Sequence, residues 1–218
     1  MTTLLSRDRI WEAIDAQRVR VADLLDQLTE EEWRQPSLCD GWTVRDVAAH
    51  LTLQQLTLRQ ALPTVVKYRG NLPRATSEVA REQAQVLSTE QIIAGIRGMV
   101  GTRRRNFGVT VREALIDALI HGQDIALPLS RQLEIPPHAA AEATTRMYTM
   151  RWPRPFPATQ TMKRFRVTAT DIDWAAGEGK EVHGPMGAIM LVSSGRLIAL
   201  PQLSGPGAPA LAAAMRGA

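Results

Sequence analysis

Apolar residues recur at helical spacing through the first two thirds of the chain. Ile10, Ile14, Val21, Leu24, Leu25 and Leu28 mark one face of a first helix over about 7–28. Thr29, with Glu32 three residues on, forms a capping box and opens a short helical turn. Pro36 and the Asp40-Gly41 pair then break the chain into a loop over 35–42. Thr43 starts a second long helix, with Asp46 at the carboxylate position of its capping box. Val44, Val47, Ala48, Leu51, Leu58 and Leu62 are its expected buried stripe. Asn71-Leu72-Pro73 reads as a break. A third helix is expected over about 75–87 and a fourth over about 89–106, the latter weakened by Gly95, Gly98 and Gly101. Thr110 and Glu113 form another capping box, whose helix runs to about Leu127 and stops at Pro128. Pro136 and Pro137 begin a further helix to about Met150.

The pattern then changes. Pro153, Pro155 and Pro157 fall within six residues, which reads as a linker. Phe165 to Thr170 alternates like a strand. Residues 171–179 resemble a hairpin end, and Val182 begins a short return strand. Pro185 to Ser193 suits a helix, and Leu197 to Leu200 a last strand. The expected fold is mainly α: a helical bundle over 1–152, then a small α/β domain over 153–218.

Composition bounds the function classes. The chain has 218 residues, 44% of them hydrophobic and 22% charged, as in ordinary globular proteins. No apolar run reaches the roughly 18 residues of a membrane span, and Met1 to Arg20 lacks the apolar core of a secretory signal. The single Cys39 excludes an internal disulfide and a cysteine-rich zinc module, and suits a reducing, cytoplasmic compartment. A net charge of +4, with one dense cluster at Arg103 to Arg105, argues against a nucleic-acid partner.

The candidate chemistry lies at the histidines. Of His50, His121, His138 and His183, the first two sit inside long helices. Asp117 precedes His121 by one helical turn, so carboxylate and imidazole share a face. Both are ligands for zinc, nickel or iron. If His50 meets them from the neighbouring helix, the set becomes two histidines and one carboxylate, which leaves a metal position open for water or substrate. Asp124 would then accept an imidazole N–H and orient the ring. The plain alternative is a solvated face with an i,i+4 pair worth about 0.2–0.5 kcal/mol. Cys39 has no histidine near it in sequence and reads as inert. Arg103 to Arg105 suit a solvated helix end, and Gly177-Glu178-Gly179 a turn. No nucleophile elbow and no P-loop occur.

The stretch Pro36 to Leu51, PSLCDGWTVRDVAAHL, resembles the N-terminal signature of the mycothiol-dependent maleylpyruvate isomerase family, within the DinB/YfiT-like metalloenzyme superfamily. Leu115 to Ala126, LIDALIHGQDIA, resembles its second signature. Asp171 to Gly207 resembles its C-terminal part, with Gly177-x-Gly179, Val182-x-Gly184-Pro185, Gly195-Arg196 and Leu203-Ser204-Gly205-x-Gly207. The resemblance implies an up-and-down four-helix bundle and a metal triad of His50, Asp117 and His121, where the family carries glutamate at the middle position. It implies a catalytic role for His50 and Arg196, and a divalent metal with mycothiol as thiol cosubstrate: zinc first, nickel or iron after it. The expected activity is an isomerase or S-transferase acting on a small electrophilic substrate, in a cytoplasmic monomer or homodimer. Its rivals are a non-catalytic binding or stress-response protein that keeps the bundle, and an iron-dependent oxygenase using the same triad.

Overall fold

The computed structural model describes residues 5–151 and 155–217. Trp152, Pro153 and Arg154, in the expected linker, lie outside the described residues. The chain forms two compact units. One is Arg7–Glu134; the other comprises the described residues from Ile135 on, with Leu5 and Ser6. This grouping places the helix that follows Pro136 with the C-terminal unit, ahead of the proline run at which the sequence suggests the boundary.

The first unit holds α1 (Arg7–Leu25), α2 (Glu30–Arg34), α3 (Val44–Leu51), α4 (Leu58–Lys67), α5 (Leu72–Val86), α6 (Thr89–Arg97) and α7 (Val111–Ala126). The capping boxes of Thr29, Thr43 and Thr110 all form. Helices α1, α3, α6 and α7 pack around a common core, and α5 lies against α3. Val21, Leu25, Val44, Val47, Leu51, Ile92, Ile96 and Ile125 fill that core. Each such side chain contributes about 1.5–3 kcal/mol on burial. Ala48 and Ala49, both fully buried, let α3 approach its neighbours closely.

Two expectations are corrected in this unit. The single helix from Thr43 through Leu62 is two helices. The Thr52 hydroxyl turns back onto the Ala49 carbonyl, and the Leu56 N–H is taken by Asn106 Oδ1. Thr57 and Gln60 then cap a fresh start. Leu58 and Leu62 consequently lie 51% and 53% exposed rather than in the stripe. The expected fourth helix ends at Gly98, well short of 106, and Gly101 and Arg103 adopt positive φ. Asn71 breaks one helix but caps the next, its side chain accepting from the Arg74 N–H.

The second unit holds α8 (Pro137–Thr149), α9 (Pro157–Met162), β1 (Arg166–Ala169), β2 (Ala175–Ala176), β3 (Glu181–Gly184), α10 (Met186–Ser193) and α11 (Ala208–Arg216). The sheet order is β2-β1-β3. β1 runs antiparallel to β2, with Val167 opposite Ala176, and parallel to β3, with Val167 opposite Val182. Helix α10 packs on β1 and α8. Gly177 has φ +76°, and a Cβ there would lie 2.2 Å from the Phe165 carbonyl, so the turn into β3 requires glycine. The expected last strand at 197–200 is a 3-10 turn over Leu197–Gln202. Pro201 cannot donate to a ladder, and Ser204 pairs with His183 instead. The sequence reading did not assign α11.

Candidate metal centre

Two capped helices bring the site together within the first unit. Thr43 fixes the start of α3, whose last turn carries His50. Thr110 fixes the start of α7, where Asp117, His121 and Asp124 share a face by their spacing of four and three. Because α3 packs on α7, the three candidate donors meet. His50 Nε2 lies 3.5 Å from Asp117 Oδ1, and His121 Nε2 lies 3.3 Å from the same oxygen. The two imidazoles meet edge to face, with ring centres 4.9 Å apart. All three donor atoms fall within 4.8 Å of one another.

The partners of these residues favour that use of their atoms. Asp124, with no solvent exposure, places Oδ2 2.8 Å from His121 Nδ1. A proton on Nδ1 satisfies that carboxylate and leaves Nε2 facing Asp117 and His50, where loss of its own proton would free a lone pair for a metal. Gln54 donates from Nε2 to Asp117 Oδ2 at 2.6 Å, so the remaining oxygen, Oδ1, faces the histidines. Among the described residues, buried His50 Nδ1 has no hydrogen-bond partner. Two nitrogen donors and one carboxylate oxygen converging in this way fit zinc, nickel or iron.

The loop before α3 closes one side. Cys39 Sγ donates to Asp124 Oδ2 at 3.1 Å and lies 3.6 Å from His121 Nδ1. The Leu38 N–H donates to the Asp124 carbonyl, tying the loop to α7. Trp42 packs on both imidazoles, with ring centres 5.4 Å from His50 and 6.5 Å from His121. Its indole N–H donates to Ser77 Oγ at 3.1 Å.

The charges are strongly coupled. Burial alone would raise the Asp117 pKa, but the adjacent His121 and His50 outweigh it and hold the carboxyl well below 3.8. Burial alone would lower that of His121. The Asp117 charge outweighs it, helped by hydrogen bonds to Asp117, Asp124 and Cys39, and holds the imidazole well above 6.5.

The sequence reading named His50, Asp117, His121 and Asp124, and the structure brings all four together. It did not place Cys39 beside a histidine, because their 82-residue separation hides the contact. It also missed Gln54 and Trp42. Gln54 could have been flagged by its position four residues after His50, and Trp42 by its place in the loop that leads into α3. Arg196 belongs to the other unit, at the N-cap of the 3-10 turn, and its Nη1 donates to the Ser194 carbonyl at 2.9 Å. In the basic cluster, Arg103 pairs with Asp8 at 2.6 Å and Arg105 donates to the Val109 carbonyl.

The chain resembles known proteins in both sequence and fold. Residues 14–108 match the family described as the mycothiol maleylpyruvate isomerase N-terminal domain, a stretch that includes His50 and ends before α7. No curated protein matches the sequence. Among solved structures, the mycothiol-dependent maleylpyruvate isomerase matches with a TM-score of 0.59 at 16% identity, over 90% of this chain and 92% of that one. A histidine-to-alanine variant of the same enzyme matches with a TM-score of 0.59 at 14% identity, over the same shares. These similarities establish a shared, mainly helical fold with a small C-terminal sheet, the DinB-like architecture. In sequence, the likeness to the mycothiol maleylpyruvate isomerase N-terminal domain family is confined to residues 14–108, a little under half of the chain.

Proposed function

We propose that this chain is a metal- and thiol-dependent enzyme, an isomerase or S-transferase that uses mycothiol on a small, electrophilic, unsaturated acid. The observation that carries the reading is the convergence of His50 Nε2, Asp117 Oδ1 and His121 Nε2 within 4.8 Å. The match of residues 14–108 to the mycothiol maleylpyruvate isomerase N-terminal domain family supports the choice of thiol.

His50, Asp117 and His121 would hold a divalent metal, with zinc the first candidate and nickel or iron the others. Such a metal lets a thiol lose its proton at neutral pH, where a free cysteine-type thiol titrates near 8.5. The chain's own residues do the remaining work. Asp124 holds the His121 proton on Nδ1. Gln54 occupies one oxygen of Asp117. Trp42 walls the histidines with an apolar ring. Arg196 is the candidate for pairing a substrate carboxylate with its two-pronged guanidinium. A thiolate that adds to the substrate double bond permits rotation about the former double bond. Expulsion of the thiol then gives isomerisation, whereas retention of the adduct gives transfer.

The test is an assay on maleylpyruvate with zinc-loaded protein, with and without mycothiol, beside the His50→Ala variant. The reading expects turnover only with both thiol and intact His50. A second arm offers other electrophiles and measures thiol consumption, which separates transfer from isomerisation. Thiol-independent turnover, or no thiol chemistry on any electrophile with metal bound, contradicts the proposal.

A further inference from the structure

The middle donor of the triad has two oxygens, and their fates differ. Asp117 Oδ1 faces both histidines, at 3.5 and 3.3 Å. Oδ2 is taken by Gln54 Nε2 at 2.6 Å. Gln54 is 5% exposed, whereas the Asp117 side chain keeps 33% of its exposure. The amide therefore reaches the carboxylate from a buried residue, while Asp117 itself stays partly exposed. A buried N–H donated to a carboxylate is charge-assisted and about twice as strong as a neutral pair. Gln54 stands four residues after His50, in the turn that closes α3. One short segment thus supplies both a donor and the group that orients the donor facing it.

We infer that Gln54 is a positioning residue that makes Asp117 a one-oxygen ligand. This inference rests on the metal-dependent reading above. Two nitrogens and one oxygen would then come from the chain, a count that would leave a position open for a thiol. If Oδ2 were released, the carboxylate could swing and offer both oxygens, as ionised carboxylates readily do. The same amide pins the shorter side chain of aspartate, which reaches less far from α7 than glutamate would.

Gln54→Glu keeps the shape of the side chain but replaces the donor with an acceptor. Gln54→Met keeps its length and removes the donor. Each purified variant would be loaded with cobalt(II), its visible spectrum recorded, and its zinc affinity measured by competition with a chromogenic chelator. Circular dichroism would confirm that each is helical. The inference expects zinc affinity at least tenfold weaker in both variants, in line with other outer partners of metal ligands. It also expects a cobalt spectrum whose band positions or intensities differ from the wild type, a change that loss of packing alone would not produce. Wild-type affinity and spectrum in both variants would overturn the inference and leave the metal site standing. A wild-type protein that takes up neither metal would overturn the inference and the metal-dependent reading together.

Discussion

Asp124 Oδ2 lies 2.8 Å from His121 Nδ1, at a carboxylate with no solvent exposure. That contact assigns the imidazole proton to Nδ1 and points Nε2 at Asp117 Oδ1, 3.3 Å away. The orientation of one candidate ligand is thus set by a residue that does not itself face the other two. Replacing it tests the arrangement. Asp124→Ala is expected to weaken zinc binding by about 10–100-fold. It should also lower stability by about 1–3 kcal/mol, since Cys39 and His121 each lose a buried acceptor. Chelator competition and denaturant unfolding measure the two effects.

Cys39 provides a second test. Its thiol donates to Asp124 Oδ2, and that hydrogen bond is taken as its role. Cys39→Ser retains a donor. Zinc affinity in that variant is expected to stay within about threefold of the wild type, and any thiol-dependent turnover should persist, because context shifts single-contact effects by factors of 2–3. Abolished turnover with intact metal binding would instead make Cys39 part of the chemistry.

The pH dependence of the metal-free protein follows from the two shifts. His121 titrates above its ordinary 6.5 in the folded state, so its contribution is fully present below 6.5 and is lost as pH rises through the raised value. Asp117 titrates below 3.8, so its contribution is present above 3.8 and is lost as pH falls through the depressed value. Both contributions are complete between 3.8 and 6.5. Metal-free protein should therefore resist urea better near pH 6 than at strongly alkaline pH, and His121→Ala should reduce that difference. Zinc affinity should run the other way, rising with pH, because a coordinating histidine must be neutral.

Gly122 tests how tightly the helix beneath the site is packed. A Cβ there would lie 2.7 Å from Gln17 Nε2, 2.8 Å from Leu133 Cδ2 and 3.1 Å from Val21 Cγ2. Gly122→Ala gains helix propensity but must displace the buried Gln17 and Val21 and the half-buried Leu133. A net loss of about 1–3 kcal/mol is expected, read as a lower midpoint in urea. A stabilised variant would show that these neighbours yield freely.

The sequence reveals this fold where local chemistry decides it. Thr29, Thr43 and Thr110 each announce a helix start, because the cap and its carboxylate lie three residues apart. The reading fails where a second local signal interrupts a continuing apolar pattern. Leu58 and Leu62 extend the stripe of α3 on paper, but the cap at Thr57 restarts the chain and turns them outward. Leu197 to Leu200 carry strand-forming residues, yet Pro201 and the His183–Ser204 pairing exclude them from the sheet. The site divides in the same way. Asp117, His121 and Asp124 are legible because one helix carries them. The meeting of His50 with that helix, and of Cys39 with Asp124, depends on packing between distant segments, which spacing cannot express. The family resemblance supplied the pairing of His50 with α7 that spacing left open.

We propose that α3 and α7 hold one divalent metal between them. The most direct test is elemental analysis of protein purified without a histidine tag or chelator, then loaded with zinc, nickel or iron and desalted. His50→Ala and His121→Ala would be treated identically. The account predicts about one metal ion per chain in the wild type and loss of that ion in both variants, with helical content preserved. A wild type that takes up none of the three metals, or variants that retain the ion, would contradict it.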